Sequence, residues 1–507
     1  MRAQFLCLRM TALSVMVFLL LFVHDGLASP LTTEADLAHG RIGTWPGSKV
    51  EEYARKIYPN AKFVYLDTVA DMAQNLRQGK IDAFAMNRIL VDELFYNGET
   101  GMEILGDSLG KTAYSFVFAY SDRGEKLCNE FNDFLRANRE NGTLHELQQK
   151  WLNHEGNVAD YKPPVLSGEN GTLSVVINPI FPPMLFVSNG QFAGYEAELL
   201  ARFCEAYGYD FKPTVATFEA AVGGVANGQF DIGMSSVEYI AEREEHVLFS
   251  NPTCEADCVL VVRSDGANSA GILDTLKKKI YDTLIRENRW KMLVNGMATT
   301  LVITFASVLL GSLGGFFLCL LYHEGNRIFN SLVENVSRFL QGMPVVVLLM
   351  TFYYIVFGSS NMSGVVVAII VFSLIFAFGV FGMLKSGADS IPRGQTEGAL
   401  ALGFSERQAF VRFILPQAVR IFFRTYQTAI VDLLKSTAIV GYIAVQDLTK
   451  MADIIRARTF DAFAPLIAIS VLYFLLAWLL KKITGEILIR LNPENRTAEE
   501  ILPGVKL

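Results

Sequence analysis

The sequence predicts an α/β unit followed by an all-α, polytopic membrane unit of about five transmembrane helices. Three observations predict this. Hydrophobic residues make up 51% of the 507 residues and mean hydropathy is +0.31, more apolar than soluble domains become. The apolar mass is unevenly placed: residues 31–290 are polar and mixed, whereas residues 295–485 hold almost all the long apolar runs. The first half also alternates short strand-like runs with helix-period segments, the pattern of a largely parallel sheet covered by helices. Net charge is −7 without long single-sign blocks. No basic stripe interleaves with aromatics, so nucleic acid is not expected as a partner.

The chain opens with Arg2 and Arg9, an apolar run over 10–23, and small residues at Gly26, Ala28 and Ser29. This is the layout of a secretory signal peptide over 1–29. Cleaved or kept as an anchor, it exports the α/β unit. Six cysteines and six histidines are scattered without CxxC spacing, so neither a metal site nor a cofactor is expected. Cys254 and Cys258 read as buried thiols, with a disulfide as the open alternative.

Over 31–265 the strand-like runs are "RIGTW", "KFVYL", "IDAFAM", "YSFVFAY", "LSVVINP", "YDFKPTV", "FDIGMS" and "CVLVVRS". Helical patterns lie between them at 49–57, 69–78, 195–207 and 218–227. The order contains an oddity. "NGTLHELQQKW" reads as the closing helix of a domain, yet "GTLSVVINPIFPPMLFV", which reads as an opening, comes after it. The stretch between, 153–170, is a polar Pro- and Gly-bearing linker.

Apolar segments of bilayer length occur at 296–321, 339–357, 364–384, 421–445 and 464–480. The fourth is interrupted by Arg424, Asp432 and Lys435. Asp432 and Lys435 lie three apart on one side of a helix, as a translocation-pathway pair or a structural pair. Arg327 and Arg338, then Lys385, Arg393, Arg407, Arg412 and Arg420, then Lys481, Lys482 and Arg490 mark three cytoplasmic regions. The C-terminus is then cytoplasmic and residue 290 external. The external loop 446–463 breaks the charge rule with Lys450, Arg456 and Arg458, partly offset by Asp447, Asp453 and Asp461.

The longest cytoplasmic loop reads "EGALALGFSERQAFVRFILPQA". Gly403 permits a turn that a side chain obstructs. Phe404, Ala409, Phe410 and Phe413 give the next short helix an apolar face, and Pro416 is expected to end it. Such a helix wants a partner groove. "TAIVGYI" at 437–443 echoes a potassium-filter motif but ends a full span, so we read it as chance. No GxxxxGK[ST] occurs, so any ATP-driven motor is another polypeptide.

The spacing Glu397-x-Ala399, then Gly403, then Ile414-Leu415-Pro416 resembles the coupling motif of permease subunits of ATP-binding-cassette (ABC) importers. "NGMATTLVITFASVLLG", "QGMPVVVLLMTFYY" and "DLLKSTAIVGYIAVQDLTKMADIIRARTF" resemble spans and a loop of the polar amino-acid uptake branch, over about 290–490. Gly398 stands where Ala is usual. The resemblance implies that Glu397, Ala399, Gly403, Phe404, Phe410, Leu415 and Pro416 belong to a surface docked on a separate ABC ATPase subunit, and that the permease is a homodimer in membrane lipid.

"INPIFPPMLFVSNGQFAGYEAELLARFCEAYG" and "ATFEAAVGGVANGQFDIGMSSVEYIAEREEHVLFSNP" resemble the first lobe of a periplasmic amino-acid-binding protein; the stretch from "DLAHGRIGTW" to "QKWL" resembles its second lobe and final helices. The implied fold is a two-lobed, type II periplasmic-binding-protein-like domain in circularly permuted order. Its second lobe and C-terminal part span 31–152, its first lobe 171–265, and its new ends fall near Leu37 and Ser264. The rival reading is two half-domains, or lobes paired between chains. By the same resemblance Phe181 and Phe218 sandwich the solute side chain, Arg243 pairs with its carboxylate, Ser48 binds that group at a helix N-terminus, and Ser236 adds a polar contact. As ordinary structure these would be core rings, a surface arginine and an N-cap. Asn178 and Asn87 stand where aspartates commonly hold the α-amino group, and Glu238 where Ser or Thr is usual. Glu238 then replaces the amino-group partner, or the solute is not an ordinary α-amino acid. Lys49 adds attraction for a second acid group or is simply solvated.

The sequence is thus expected to encode a fused substrate-binding and permease subunit of an ATP-driven ABC importer for amino acids or similar small polar solutes. It is a transport subunit, not an enzyme. It should be multi-pass in the cell inner membrane, with the binding domain outside, a linker at 266–290, a permease at 291–490 and a cytoplasmic tail at 491–507. The alternatives are a ligand-gated channel or a binding-only sensor using the same domain.

Overall fold

The computed structural model describes residues 36–155, 161–264, 277–358, 360 and 362–491. The expected signal peptide at 1–29 and the tail beyond 491 lie outside the described residues.

The α/β half runs β1 (Arg41–Thr44), α1 (Lys49–Ile57), β2 (Lys62–Tyr65), α2 (Val69–Arg77), β3 (Ala83–Asn87), α3 (Arg88–Tyr96), β4 (Met102–Phe118), α4 (Asp122–Glu140), α5 (Thr143–Leu152), β5 (Thr172–Ile177), β6 (Phe186–Ser188), β7 (Gln191–Ala193), α6 (Tyr195–Tyr207), β8 (Asp210–Val215), α7 (Phe218–Ala226), β9 (Ile232–Glu238), α8 (Ala241–Glu244), β10 (Leu248–Phe249) and β11 (Cys254–Arg263). Ser48, Thr68, Asn87, Ser121 and Thr217 each accept a backbone N–H as N-caps, which fixes where α1, α2, α3, α4 and α7 begin.

The strands form one mixed sheet in the order β2-β1-β3-β11-β4-β9-β5-β8, with β10 beside β4. Parallel ladders occupy its two ends, β2-β1-β3 and β9-β5-β8. Between them β11 and β4 run antiparallel to each other and to both neighbours. β4 is 17 residues long. It pairs with β11 from Met102 to Tyr114, and its last part pairs with β9 and β10. It therefore passes from one parallel ladder to the other and joins the two lobes. The sequence pattern predicts only its second half, because Gly106, Asp107 and Gly110 read as turn residues.

Two packing facts connect distant parts of the chain. α5 lies against α6 of the lobe that comes after it: the fully buried Trp151 donates Nε1–H to Glu198 Oε2 at 2.8 Å, and Lys150 meets the same oxygen at 2.6 Å. At the other lobe Leu37, Ile42, Val50 and Ala54 share a core with Cys258, Leu260 and Val262 of β11. The earliest and latest described parts of the α/β half are therefore packed together. Cys254 and Cys258 are free and buried. Four steps along one strand separate them by about 13 Å, beyond disulfide reach.

The helical half comprises α9 (Arg289–Glu324), α10 (Arg327–Gly342), α11 (Val345–Met350), α12 (Gly364–Asp389), α13 (Arg393–Ala401), α14 (Glu406–Ala409), α15 (Leu415–Ser436), α16 (Leu448–Thr459) and α17 (Ala464–Leu491). Three helices are long and apolar enough to cross a membrane unbroken, and two bent pairs bring the number to five if each is one span. The expected span at 339–357 is one of these pairs, with a 106° bend between Arg327–Gly342 and Val345–Val356. Pro344 is the cause: it forces Met343 into an extended conformation (φ −92°, ψ 138°) and lacks the N–H to continue the ladder. α9 packs closely on α12 through small residues, since a Cβ at Gly311 would stand 2.8 Å from Ser373 O.

The loop over 393–418 also departs from expectation. Gly403 does take φ +86°. Pro416, however, ends nothing. It sits in the first turn of α15, where a missing N–H is tolerated, and a wider helical turn over Phe410–Ile414 leads into it. Ala409 and Phe410 are buried within the protein, with Phe410 stacked on His323 at a ring-centroid distance of 4.0 Å. Ala399 and Leu415 are buried as well, and Phe404 packs edge-on against Phe413. Of the residues expected to dock, Glu397, Gly403 and Pro416 are exposed, and the loop also exposes the apolar side chains of Leu400, Leu402 and Val411.

Candidate functional site

The loops leaving β1, β5 and β9 converge between the two lobes. Trp45, just after β1, meets Phe181, just after β5, edge-to-face at 5.4 Å. Phe181 is buried. Phe218, at the start of α7, is half-buried with the Arg243 guanidinium 4.9 Å above its ring, a cation–π contact. Arg243 also donates to Glu238 O at 3.2 Å. The residues expected at the solute site thus fall into two observed contacts, Phe181 with Trp45 of the opposite lobe and Phe218 with Arg243.

The expected anion seat at the N-terminus of α1 is already used. Lys49 donates its backbone N–H to Glu238 Oε2 at 3.0 Å, so a carboxylate from β9 sits where exposed N–H groups favour one. Burial pushes the Glu238 carboxyl up, and the Lys49 N–H and nearby Arg243 pull it back. Ser48 acts as the N-cap, accepting from Glu51 N and donating to Trp45 O. The Lys49 side chain turns along the helix to Glu52 at 2.7 Å. One Glu238 carboxylate oxygen therefore faces a hydrogen-bond donor of α1.

Asn178 and Asn87 are both buried. Asn87 spends its Oδ1 on the cap of α3, accepting from Leu90 N at 3.0 Å. Asn178 donates its N–H to Ser235 Oγ at 2.8 Å. Next in β9, Ser236 takes φ +51°, rare for a residue with a Cβ. Its N–H donates to both carboxylate oxygens of Glu196 at 2.9 and 3.2 Å, while its own Oγ is buried without a partner. Complete burial pushes the Glu196 carboxyl up to about 7.

The helical half reaches this cleft through α16. Lys450 Nζ lies 3.5 Å from Asn178 Oδ1. Arg456 pairs with Asp71 of α2. Arg458 pairs with Glu93 of α3 at 2.9 Å and with Glu287 at 3.1 Å, and stands 4.3 Å above the ring of Phe186 in β6. α16 therefore touches both lobes. These are the three basic residues that break the charge rule in loop 446–463, and that breach is the sequence signal for a contact that pattern reading alone does not locate. Asp432 and Lys435 are 3.5 Å apart and exposed on α15. Among the described residues no cluster of His, Cys, Asp or Glu could hold a metal ion.

The chain is similar to the probable amino-acid ABC transporter permease protein YckA of Bacillus subtilis (strain 168), 29% identical over 196 residues that cover 38% of this chain and 87% of that protein. It is likewise similar to the arginine ABC transporter permease protein ArtQ of Haemophilus influenzae, 29% identical over 33% of this chain and 80% of that protein. Among solved structures, one described as an amino acid ABC transporter with histidines matches at 25% identity and TM-score 0.38, covering 44% of this chain and all of that one. The family model of bacterial extracellular solute-binding proteins, family 3, matches residues 173–438, just over half of the chain. Over part of its length the chain is also similar to amino-acid ABC permeases, and it belongs to the bacterial extracellular solute-binding proteins, family 3.

Proposed function

We propose that the chain is the fused receptor and permease subunit of an ATP-driven importer for amino acids or similar small polar solutes. The observation that carries the reading is α16: a helix of the permease-like half holds both lobes by Arg456–Asp71, Arg458–Glu93 and Arg458–Phe186. A receptor seated this way can deliver solute to the spans. ATP is hydrolysed by a separate ABC ATPase that docks on the 393–418 loop, with exposed Glu397 and Leu402 at the contact and buried Ala399, Phe410 and Leu415 shaping it. The permease works as a homodimer in the inner membrane, with the lobes outside and the C-terminus in the cytoplasm.

The receptor is a single permuted domain. Packing of Trp151 on Glu198, and of Leu37 beside Val262, supports closure of both lobes within one chain. Phe181, Phe218, Arg243 and Ser236 line the solute site from the first lobe, and Ser48, Lys49 and Asn87 face it from the second. The test is uptake into proteoliposomes holding the full chain and its ATPase, with radiolabelled glutamine, arginine and cystine as probes. Accumulation that requires ATP is expected. ATP-independent current on adding solute would sink the importer and favour a channel.

A further inference from the structure

Glu238 stands at the end of β9 in the first lobe and reaches across to the second. Its Oε2 accepts the backbone N–H of Lys49, the first residue of α1, at 3.0 Å. Glu238 is only 7% exposed, so its charge depends on protein groups rather than on solvent. The cations acting on it are Arg243, whose guanidinium also donates to Glu238 O at 3.2 Å, and Lys49, whose ammonium lies 2.7 Å from Glu52. Arg243 is also the residue expected at the solute carboxylate. Directly opposite Glu238 in the β4–β9 ladder stands Tyr114, and Glu238 acts on its phenol. Tyr114 is 3% exposed, and its buried hydroxyl has no hydrogen-bond partner among the described residues. Cross-strand neighbours hold their Cβ atoms about 5 Å apart, so a donor is available beside Glu238 on the strand that joins the lobes.

The N-terminus of α1 therefore already holds a carboxylate, and it is the protein's own. A solute carboxylate takes the Lys49 N–H only by displacing Glu238. The displaced group stays in the cleft, because β9 is held in register on β4. If the solute brings a carboxylate alone, two carboxylates then share Arg243, and like charges buried together are strongly disfavoured. If the solute also brings an ammonium, the displaced Glu238 pairs with it and the charges balance again. We propose that Glu238 is a specificity-determining residue that works by exchange: in the solute-free receptor it occupies the anion seat of α1, and on binding it yields that seat to the solute carboxylate and takes the solute ammonium. The site therefore selects zwitterions and rejects simple carboxylic acids. Selection comes from the penalty on the wrong solute as much as from contacts with the right one. This deepens the importer reading and rests on it, because it places the solute at the N-terminus of α1.

The experiment uses the full chain in lipid nanodiscs, with one measurement free of solute and one with it. Hydrogen exchange resolved to single amides should show Lys49 protected in the solute-free wild type and exchanging about tenfold faster or more in E238A. Equal exchange in the two overturns the proposal, since Glu238 then does not hold the seat. Calorimetry next compares glutamine, arginine and cystine with their desamino analogues, which keep the α-carboxylate and lack the α-ammonium. The wild type should favour the amino acid by about a hundredfold. E238A should bind the analogue about tenfold more tightly than the wild type does, bind the amino acid less well, and so lose most of the preference. E238D keeps the charge and should retain the preference, which a merely structural role would not produce. If the wild type binds an amino acid and E238A keeps the full preference, Glu238 does not read the ammonium, and the proposal falls while the importer reading stands. If the wild type binds none of the three amino acids, the amino-acid reading falls, and selection of zwitterions by Glu238 falls with it.

Discussion

Replacing Arg458 by Met isolates the ion network that seats the second lobe. In the native protein the guanidinium is 11% exposed and pairs with Glu93, 5% exposed, and Glu287, 14% exposed. Met keeps much of the apolar stem over Phe186 and removes the charge. Two buried carboxylates then lose a partner, and breaking such a pair from one side costs about 3–5 kcal/mol. The low end applies here. Glu93 keeps the Asn97 Nδ2 donor at 2.8 Å and His154 at 3.4 Å, and Glu287 keeps Arg289 at 2.8 Å. A loss of about 3 kcal/mol raises the undocked fraction roughly a hundredfold. Hydrogen exchange of the full chain in nanodiscs reads this directly. Amides of α3 and α16 should exchange up to about a hundred times faster in R458M, while those of α4, which does not touch Arg458, stay unchanged. E93Q/R458M should recover part of the protection, because it also removes one uncompensated charge. Protection of α3 within threefold of wild type in R458M would refute the claim that this network holds the lobe.

Three other sites carry expected outcomes of their own. Glu196 titrates near 7 against an ordinary 4.5, so the fold binds more protons than the unfolded chain between those values. Stability should fall by on the order of 3 kcal/mol as pH rises through that window, and E196Q should flatten the slope of thermal melts measured from pH 4.5 to 8. Gly403 at φ +86° does not tolerate a β-branched side chain, so G403V should abolish ATP-coupled uptake yet leave solute binding within about twofold. E238A frees the Lys49 N–H and should tighten binding of an α-carboxylate about tenfold by calorimetry. No change in affinity would mean that Glu238 blocks nothing.

Much of the fold is legible in the sequence because local signals and tertiary demand agree. α1 and α6 occupy the expected 49–57 and 195–207, each opening at an N-cap position and carrying one apolar face. β4 is half missed because its first part is a glycine-rich strand held in register by β11 rather than by its own propensity. The span at 339–357 has the right hydropathy, yet hydropathy is blind to the turn that Pro344 imposes. Pro416 misleads in the opposite sense, since a proline ends a helix from within but is tolerated in a first turn. At the candidate site, family resemblance pointed to Phe181, Phe218 and Arg243. It could not show that Glu238 spends its carboxylate on Lys49 N–H, or that a cation 272 positions away from Asn178 reaches it. Those facts belong to tertiary geometry, and only the charge imbalance of loop 446–463 hinted at them.

Joining receptor and permease in one chain changes the thermodynamics of the α16 contact. A free receptor must find its permease by diffusion and lose translational freedom on each visit. A tethered one experiences an effective concentration in about the millimolar range, so a few buried ion pairs and one ring contact suffice to keep it seated. In the proposed importer, delivery then no longer depends on how much receptor the cell secretes, and each subunit serves its own gate. In a homodimer this means two receptors over one pathway, whose cycles must alternate or coincide; the number of solutes moved per ATP cycle will tell which.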